Sequence, residues 1–312
     1  MKILLLTNEY PPYVYGGAGI HVEHLSQELS KLCSVEVRSF GDQEISKETL
    51  SVKGFKSSPF RYDCPEPLRR VFDATQRCLD FNSTGITADI VHVHTWYTHL
   101  GGILAKMNYG IPLVVTVHSL EPLRPWKKEQ LGGGYDFSCW VEKTAIEMAD
   151  AVIAVSEETR QDILKFFDIP PQKIHVIHNG VDPDVYKPVK APHLLSAVGV
   201  DPKRPFVLFM GRITRQKGII HLVRAIRHMK GDHQIVLCAS SPDTPEIAQE
   251  MTALVEEVQK THPHVLWLRD MMDTPTKIAL YSHAAVFCCP SIYEPFGIIN
   301  IEAMACETPV VA

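Results

Sequence analysis

Two glutamates, Glu294 and Glu302, flank a corner that the sequence predicts to run from a strand through a glycine into a helix. The apolar run 285–289 is short and ends at a proline, which is typical of a buried strand. Gly297 then opens a segment whose apolar spacing favours a helix. The first N–H groups of a helix have no intrahelical partner, so the amides of Gly297 and Ile298 form a candidate anion site. A single glutamate here would usually be a surface or capping residue, but two carboxylates beside a phosphate cradle suit a nucleotide sugar.

Two more corners of the same kind lie earlier in the chain. The apolar strand 206–210 leads into a glycine loop that carries Arg212 and Lys217. Cations in loops are ordinarily solvated, but arginine offers a bidentate fork to phosphate oxygens and lysine a compact charge. The other loop contains Gly16 and Gly17, between the predicted first strand and an amphipathic helix. It is not the dinucleotide fingerprint, because the third glycine is missing.

Polar and aromatic side chains end two further predicted strands, at 90–97 and 113–118. His94 and Trp96 belong to the first of these segments, and His118 ends the second. A lone histidine at a strand end is more often structural, but two on one sheet are expected to line the same cleft, with Trp96 as a platform for a sugar ring. A metal site is not predicted, because a third ligand and carboxylates at suitable spacing are lacking.

Several motifs resemble one family of enzymes. EPFG and EAMA, around residues 294–305, resemble the two-glutamate signature of retaining glycosyltransferases of the GT-B fold, family 4. GRxxxxKG at 211–218 and the HNGVD turn at 178–182 are similar to further motifs of that family. The segment 119–135, SLEPLRPWKxEQLGGGY, resembles the glycogen-synthase branch in particular. Tyr15 agrees with that branch, since the starch-synthase type carries a lysine just before its Gly-Gly.

The resemblance implies a role for each matched residue. His118 and Glu294 are expected at the catalytic centre, against the transferred sugar, and Glu302 at the ribose. The residues expected to bind the donor diphosphate are Arg212, Lys217, Gly297 and Ile298. The glycine loop over the diphosphate and acceptor is expected to contain Gly16 and Gly17. The acceptor and sugar side is expected to comprise His94, Trp96, Trp126 and Asn179.

The alternation of strands and helices predicts an α/β chain with a parallel sheet in each half. The resemblance implies the GT-B fold, with two Rossmann-like domains facing across a cleft. Residues 1–185 are assigned to the acceptor-side domain, the proline-rich 186–205 to a linker, and 206–312 to the nucleotide-sugar-binding domain. The chain stops at a predicted strand where family members continue, so the second domain is expected to be incomplete, with its C-terminal tail missing.

Composition limits the class of protein. A net charge of −5 over 312 residues argues against a nucleic-acid-binding face. No stretch approaches the roughly 20 apolar residues of a membrane span, and the short apolar start is predicted to be a strand instead of a signal peptide. The eight cysteines form no CxxC pair. We therefore expect a cytoplasmic protein without a metal or another cofactor.

The resemblance predicts a glycogen-synthase-like hexosyltransferase, which moves glucose with retention from ADP-glucose or UDP-glucose to an α-1,4-glucan. One alternative is a maltose-1-phosphate synthase, whose acceptor is glucose 1-phosphate, or another family 4 enzyme with a lipid or mannan acceptor. A nucleotide-sugar dehydrogenase or epimerase is disfavoured by the missing glycine and by the absence of an acidic residue at the expected distance. A non-catalytic nucleotide-sugar-binding protein is the third possibility. The expected partners are thus a nucleotide sugar and a glucan or sugar-phosphate acceptor.

Overall fold

The computed structural model describes residues 1–57 and 63–312, which form two compact α/β units. The first unit spans Met1–Asn179 and the second spans Gly180–Ala312. Each unit has its own parallel sheet and its own buried apolar clusters, which confirms the predicted α/β class.

A sheet of eight strands lies at the centre of the first unit, as far as the structure describes it. The strands are β1 Lys2–Thr7, β2 Ser34–Phe40, β3 Glu44–Ser46, β4 Leu50–Phe55, β5 Ile90–Val93, β6 Leu113–Val117, β7 Ala151–Ala154 and β8 Ile174–Val176. Their order is β3-β4-β2-β1-β5-β6-β7-β8, and every pairing is parallel except that of β3 with β4.

Helices cover both faces of this sheet, and this is why its central strand is apolar on both sides. The helices are α1 Gly17–Ser30, α2 Glu66–Ser83, α3 Trp96–Tyr109, α4 Lys128–Leu131, α5 Gly134–Met148 and α6 Glu157–Phe166. Leu4 and Leu6 of β1 pack with residues of α2, α3 and α5, whereas Leu5 packs with Val22 of α1. A parallel strand between two helical layers is expected to read as a continuous hydrophobic run, as β1 does.

The second unit repeats this design with five strands. The strands are β9 Phe206–Arg212, β10 Gln234–Ser240, β11 Val265–Leu268, β12 Val286–Cys288 and β13 Val310–Val311, and the helices are α7 Pro192–Ala197, α8 Ile219–Ile226, α9 Pro245–Gln259, α10 Thr274–His283 and α11 Ile298–Ala305. The order is β11-β10-β9-β12-β13, all parallel. Among the described residues, no helix is both long enough and apolar enough to cross a bilayer.

The order of strands reverses once in each sheet. In the first unit the chain runs outward from β1 to β2 and then returns to β5 on the other side of β1. In the second unit it runs from β9 to β10 and β11 and returns to β12. Open α/β sheets bind their ligands outside the carboxyl ends of the strands at such a reversal. The loops that follow β1, β5, β9 and β12 are therefore the candidate ligand-binding loops.

Local differences from the sequence prediction have simple causes. Helix α1 begins at Gly17 instead of at about residue 20, so the second glycine already belongs to the first helical turn. The segment 90–97, predicted as one strand, divides into β5 and the first residues of α3. The range 186–205, predicted as the linker, contains α7, whose Leu195 is buried in the core of the second unit. Burial of that leucine stabilises a short helix, which was not predicted because the segment is rich in proline.

Candidate functional site

The loops after β9 and β12 are held against each other because these two strands pair. Gly218 has φ +62°, and a Cβ at this position would lie 1.9 Å from the carbonyl oxygen of Pro290. Only glycine allows both this backbone conformation and this approach. The N–H of Ile292 donates to the Gln216 carbonyl at 2.9 Å, and Nε2 of Gln216 donates to the Tyr293 carbonyl at 3.1 Å. The two loops therefore have a fixed separation.

Lys217 and Glu294 meet where the two loops touch. Nζ of Lys217 lies 2.6 Å from Oε2 of Glu294, and each side chain is about one-fifth exposed. Oγ of Ser291 donates to the same carboxylate oxygen at 2.8 Å, while the backbone N–H of Lys217 donates to Oγ1 of Thr214 at 3.0 Å. The structure thus brings together the predicted diphosphate cation and the predicted sugar-binding carboxylate. The ammonium group has three donors and the carboxylate about four lone-pair positions, so both retain capacity for a ligand.

Arg212, the other predicted diphosphate cation, ends β9 and has a different partner. Its guanidinium forms an ion pair with the carboxylate of Asp243, just before helix α9. The sequence analysis did not identify Asp243. Its nearest sequence signal is its place directly before Thr244, which caps α9 by accepting from the N–H of Ile247. The two predicted cations are therefore held by separate carboxylates.

The N-terminus of α11 has the geometry expected of an anion site. Gly297 precedes the helix with φ +81°, and a Cβ there would lie 2.6 Å from Nδ2 of Asn300. The carbonyl of Gly297 accepts from the N–H of Asn300 at 2.9 Å, which starts the helical hydrogen bonding. The amides of Ile298 and Ile299 belong to the first turn and have no acceptor within their own helix. The partial positive charge of this turn favours a phosphate.

Glu302 is buried, with 3% of its surface exposed. Its Oε1 lies 2.7 Å from Nζ of Lys277, and its Oε2 accepts from the hydroxyl of Tyr281 at 3.0 Å. Lys277 also donates to the hydroxyl of Tyr186 at 3.0 Å. Burial lowers the pKa of Lys277, but Glu302 outweighs that effect and the net pKa is raised. The predicted ribose ligand thus has both oxygens engaged by α10, whose Lys277 and Tyr281, four residues apart, share one helix face.

In the first unit, a buried carboxylate organises the glycine loop after β1. Oε2 of Glu9 accepts from the backbone N–H of Tyr15 at 2.9 Å and of Gly16 at 2.7 Å. A Cβ on Gly19 would lie 2.7 Å from Cβ of Glu9, so this helix residue must also be small. The amide of Gly16 is therefore already bonded, and Gly17 begins α1. Glu9 was not identified from the sequence. The available signal was an acidic residue seven positions before Gly16.

Three histidines converge beside that loop. His94 follows β5 and His118 follows β6, and Nδ1 of the former lies 3.3 Å from Nε2 of the latter. His21 of α1 is the third, with its ring centroid 4.7 Å from that of His118 and 5.4 Å from that of His94. One ring nitrogen of each histidine lies within 4.8 Å of the others. No third ligand beside His94 and His118 was evident from the sequence, whereas helix α1 places His21 next to them.

These histidines are uncharged at neutral pH. Burial lowers the pKa of His21 to about 4, although a contact with the Asn179 side chain opposes the shift. Burial also lowers the pKa of His94 and His118 well below the ordinary value, and neighbouring histidines add to this effect. The pKa of the buried His99 falls to about 3 for the same reason. The cluster is therefore a set of neutral imidazoles whose nitrogens can accept or donate hydrogen bonds.

The remaining predicted residues lie close to this cluster or inside the core. Asn179 is half-buried beside His21. Trp96 starts α3, is 3% exposed and stacks on Tyr97 with ring centroids 4.0 Å apart. Trp126 is half-buried in the loop that follows His118. Trp96 thus packs in the core, which leaves little of its surface for a sugar ring.

A buried glutamate holds that loop in place. Oε1 of Glu121 lies 3.3 Å from Arg124 and 3.4 Å from Nζ of Lys127, and its Oε2 accepts from Oγ of Ser138 at 3.0 Å. The backbone N–H of Glu121 donates to Oε2 of Glu142 at 2.8 Å. Burial and the nearby Glu121 raise the pKa of Glu142 well above its usual value. Arg124 and Lys127 therefore share the carboxylate of Glu121, which lies beside the buried Glu142.

Comparison with known proteins finds glycosyltransferase family models that match both halves of the chain. The family model described as Glycosyltransferase Family 4 matches residues 15–185, and that described as Glycosyl transferases group 1 matches residues 194–312. The chain is 47% identical to an alpha-maltose-1-phosphate synthase of Mycolicibacterium smegmatis, over all of this chain and 79% of that protein.

Solved structures agree on the fold. A sucrose-phosphate synthase from Thermosynechococcus elongatus is similar with a TM-score of 0.81 and 23% identity, over 99% of this chain and 80% of that one. The Anabaena protein HepE in complex with UDP-glucose is similar with a TM-score of 0.75 and 19% identity, over 100% of this chain and 80% of that one. With its two parallel-sheet units, the chain has the GT-B fold.

The low pKa of His99 predicts how the stability of the first unit depends on pH. Below pH 6.5 the unfolded chain takes up a proton at His99, whereas the folded chain, with a pKa of about 3, does not. Its unfolding free energy should therefore fall by up to about 1.4 kcal/mol per pH unit on acidification because of this residue alone. His99→Leu should reduce the slope by that amount. Both ring nitrogens are buried without a partner among the described residues, so the change should cost little at pH 7.5.

Urea unfolding between pH 7.5 and pH 5, followed by tryptophan fluorescence, measures this slope. Thr98→Val is the matched control, because it alters the neighbouring buried residue without removing a titratable group. It should lower stability equally at every pH. An unchanged slope in His99→Leu would contradict the prediction.

Proposed function

Because the chain belongs to glycosyltransferase family 4, we propose that it transfers glucose from a nucleoside diphosphate glucose to glucose 1-phosphate, with retention, and so makes maltose 1-phosphate. The observation that carries this proposal is the 47% sequence identity, over the whole of this chain, to a protein named alpha-maltose-1-phosphate synthase. The glycogen-synthase-like activity predicted from the sequence rests on the loop motif 119–135 and on Tyr15, and it differs from the proposed activity in the acceptor. Glucose 1-phosphate, the acceptor of the alternative activity, is therefore the better supported acceptor.

The loops after β9 and β12 support a site for the donor in the second unit. Lys217 and the first turn of α11 offer positive charge to a diphosphate, and Glu294 offers a hydrogen-bond acceptor to sugar hydroxyls. In the proposed reaction the bond between the sugar C1 and the diphosphate oxygen breaks, C1 bonds to the acceptor hydroxyl oxygen, and the hydroxyl proton passes to the departing diphosphate. Positive charge fixed beforehand at the departing diphosphate lowers the barrier to this step. ADP and UDP forms of the donor both fit this account.

The loop after β6 supports a charged acceptor in the first unit. Glucose 1-phosphate carries a negative phosphate, whereas the end of a glucan carries none. Arg124 and Lys127 place two cations in this loop, 3.3 Å and 3.4 Å from the carboxylate of Glu121. His118 directly precedes the loop and remains the predicted contact of the transferred sugar. We further propose a cytoplasmic location, which the eight free cysteines support, since reduced thiols are typical of a reducing compartment.

Release of nucleoside diphosphate tests the acceptor. The purified chain is incubated with ADP-glucose or UDP-glucose and with glucose 1-phosphate, glycogen or no acceptor. We expect release that depends on glucose 1-phosphate, and the faster donor identifies the base. Release that depends on glycogen instead would contradict the proposed acceptor and restore the glucan activity. Absence of release with every pair would contradict catalysis by this chain.

Lys217→Ala should lower kcat/KM by at least about 100-fold, because it removes charge that stabilises the leaving diphosphate. Steady-state kinetics with the better donor measure the effect. Arg215→Ala is the matched control, since Arg215 lies in the same loop but pairs with Glu250 of α9 at 2.7 Å. That partly exposed pair contributes little, so the control should stay within about threefold of the parent. Equal losses in the two variants would mean that the loop is merely disturbed.

A further inference from the structure

The three histidines around the end of β5 place their ring nitrogens close together, and two of them, His94 and His118, are within hydrogen-bond distance of each other. They come from three separate elements of the first unit: helix α1, the corner after β5 and the corner after β6. Nδ1 of His94 and Nε2 of His118 lie 3.3 Å apart. Two nitrogens bound to one tetrahedral zinc ion at its usual bond length are separated by about 3.3 Å. One pair in the cluster therefore already has the spacing of two metal ligands.

The third histidine offers a nitrogen that the fold leaves unused. Nε2 of His21 is buried and has no hydrogen-bond partner among the described residues. Buried polar atoms are rarely left in this condition without a reason, such as an ion. One nitrogen of His21 lies within 4.8 Å of those of His94 and His118, and its ring is only half-buried. Tetrahedral coordination needs nitrogens about 3.3 Å apart, so a shift of the half-buried side chain by up to about 1.5 Å would complete a three-nitrogen site.

We propose that His21, His94 and His118 form a binding site for a single divalent transition-metal ion of the zinc type. The three donors are imidazoles, and no carboxylate among residues 1–57 and 63–312 belongs to the cluster, which favours zinc, nickel or copper over magnesium or calcium. Three protein ligands leave a fourth position for water, as in zinc sites of the open kind. His21 and His118 are partly exposed, so an ion can reach the site from solvent.

An ion at this site would also affect turnover, and this consequence rests on the proposed function. It would occupy a ring nitrogen of His118, the predicted contact of the transferred sugar. It would also link helix α1, and with it the glycine loop, to the corners after β5 and β6. Micromolar zinc is therefore expected to inhibit the transferase reversibly, with recovery after chelation.

Titration of the metal-free chain with Co²⁺ tests binding without reference to activity. Four-coordinate Co²⁺ has intense visible absorption, whereas the hydrated ion absorbs weakly. We expect one equivalent of strongly absorbing Co²⁺, displaced by zinc, without the near-ultraviolet charge-transfer band that cysteine thiolates would produce. A second readout is the melting temperature, which should rise with zinc because the ion binds the folded chain.

Two variants and one control make the test specific. His21→Ala and His118→Ala should each weaken Co²⁺ binding by more than about 100-fold, since even the loss of an outer-shell partner costs 10- to 100-fold in affinity. His24→Ala is the control, because His24 is an exposed histidine one turn further along the same helix. It should bind as the parent does. Circular dichroism verifies that each variant is folded.

The outcomes separate this site from the proposed function. Octahedral or no Co²⁺ binding by the parent, or parent-like binding by folded His21→Ala and His118→Ala, would overturn the metal site. Specific binding in a chain that lacks transferase activity would establish the site and count against the proposed function alone. Specific binding without inhibition of an active chain would overturn the inhibitory role.

Discussion

The contact between Gly218 and the carbonyl oxygen of Pro290 is the constraint on which the site of the second unit depends. A side chain at residue 218 would separate the loops after β9 and β12, and with them the ammonium of Lys217 and the carboxylate of Glu294. The pairing of β9 with β12 across the reversal of strand order puts these loops side by side, and the glycine lets them touch. A partly buried ion pair of this kind contributes little net stability, because desolvation offsets attraction. Its value is that both charges are positioned before a ligand arrives.

The first unit meets the same demand with different chemistry. At its own reversal of strand order, the carboxylate of Glu9 bonds the amides of the glycine loop, and neutral imidazoles fill the space beside β5. Burial keeps these rings uncharged, so they can lie together without the repulsion that protonated histidines would suffer. The neutral imidazoles of the first unit suit hydroxyl groups, whereas the ammonium of Lys217 in the second unit suits a phosphate. This division agrees with a donor diphosphate in one unit and a sugar acceptor in the other.

The sequence predicted what local patterns determine. The strands at Lys2–Thr7 and Ser34–Phe40 follow from apolar runs between breakers, and the juxtaposition of Lys217 with Glu294 follows from matched motifs after strands. It could not predict partners set by how helices are rotated on a sheet: His21 beside His118, Asp243 on Arg212, or Lys277 on Glu302. The choice of acceptor was also beyond it. The loop motif 119–135 led to a glucan acceptor, whereas the proposed acceptor, glucose 1-phosphate, rests on similarity along the whole chain.

The most direct measurement is the structure of the product. The chain is supplied with glucose 1-phosphate and a nucleoside diphosphate glucose labelled with ¹³C at C1, and the purified product is examined by ¹H, ¹³C and ³¹P NMR. The account predicts a disaccharide phosphate in which the labelled carbon is α-linked to the acceptor sugar and the phosphate remains on the unlabelled anomeric carbon. A labelled carbon in a β linkage would contradict retention. Label found only in free glucose or in a polymer would contradict the proposed transfer to a sugar phosphate.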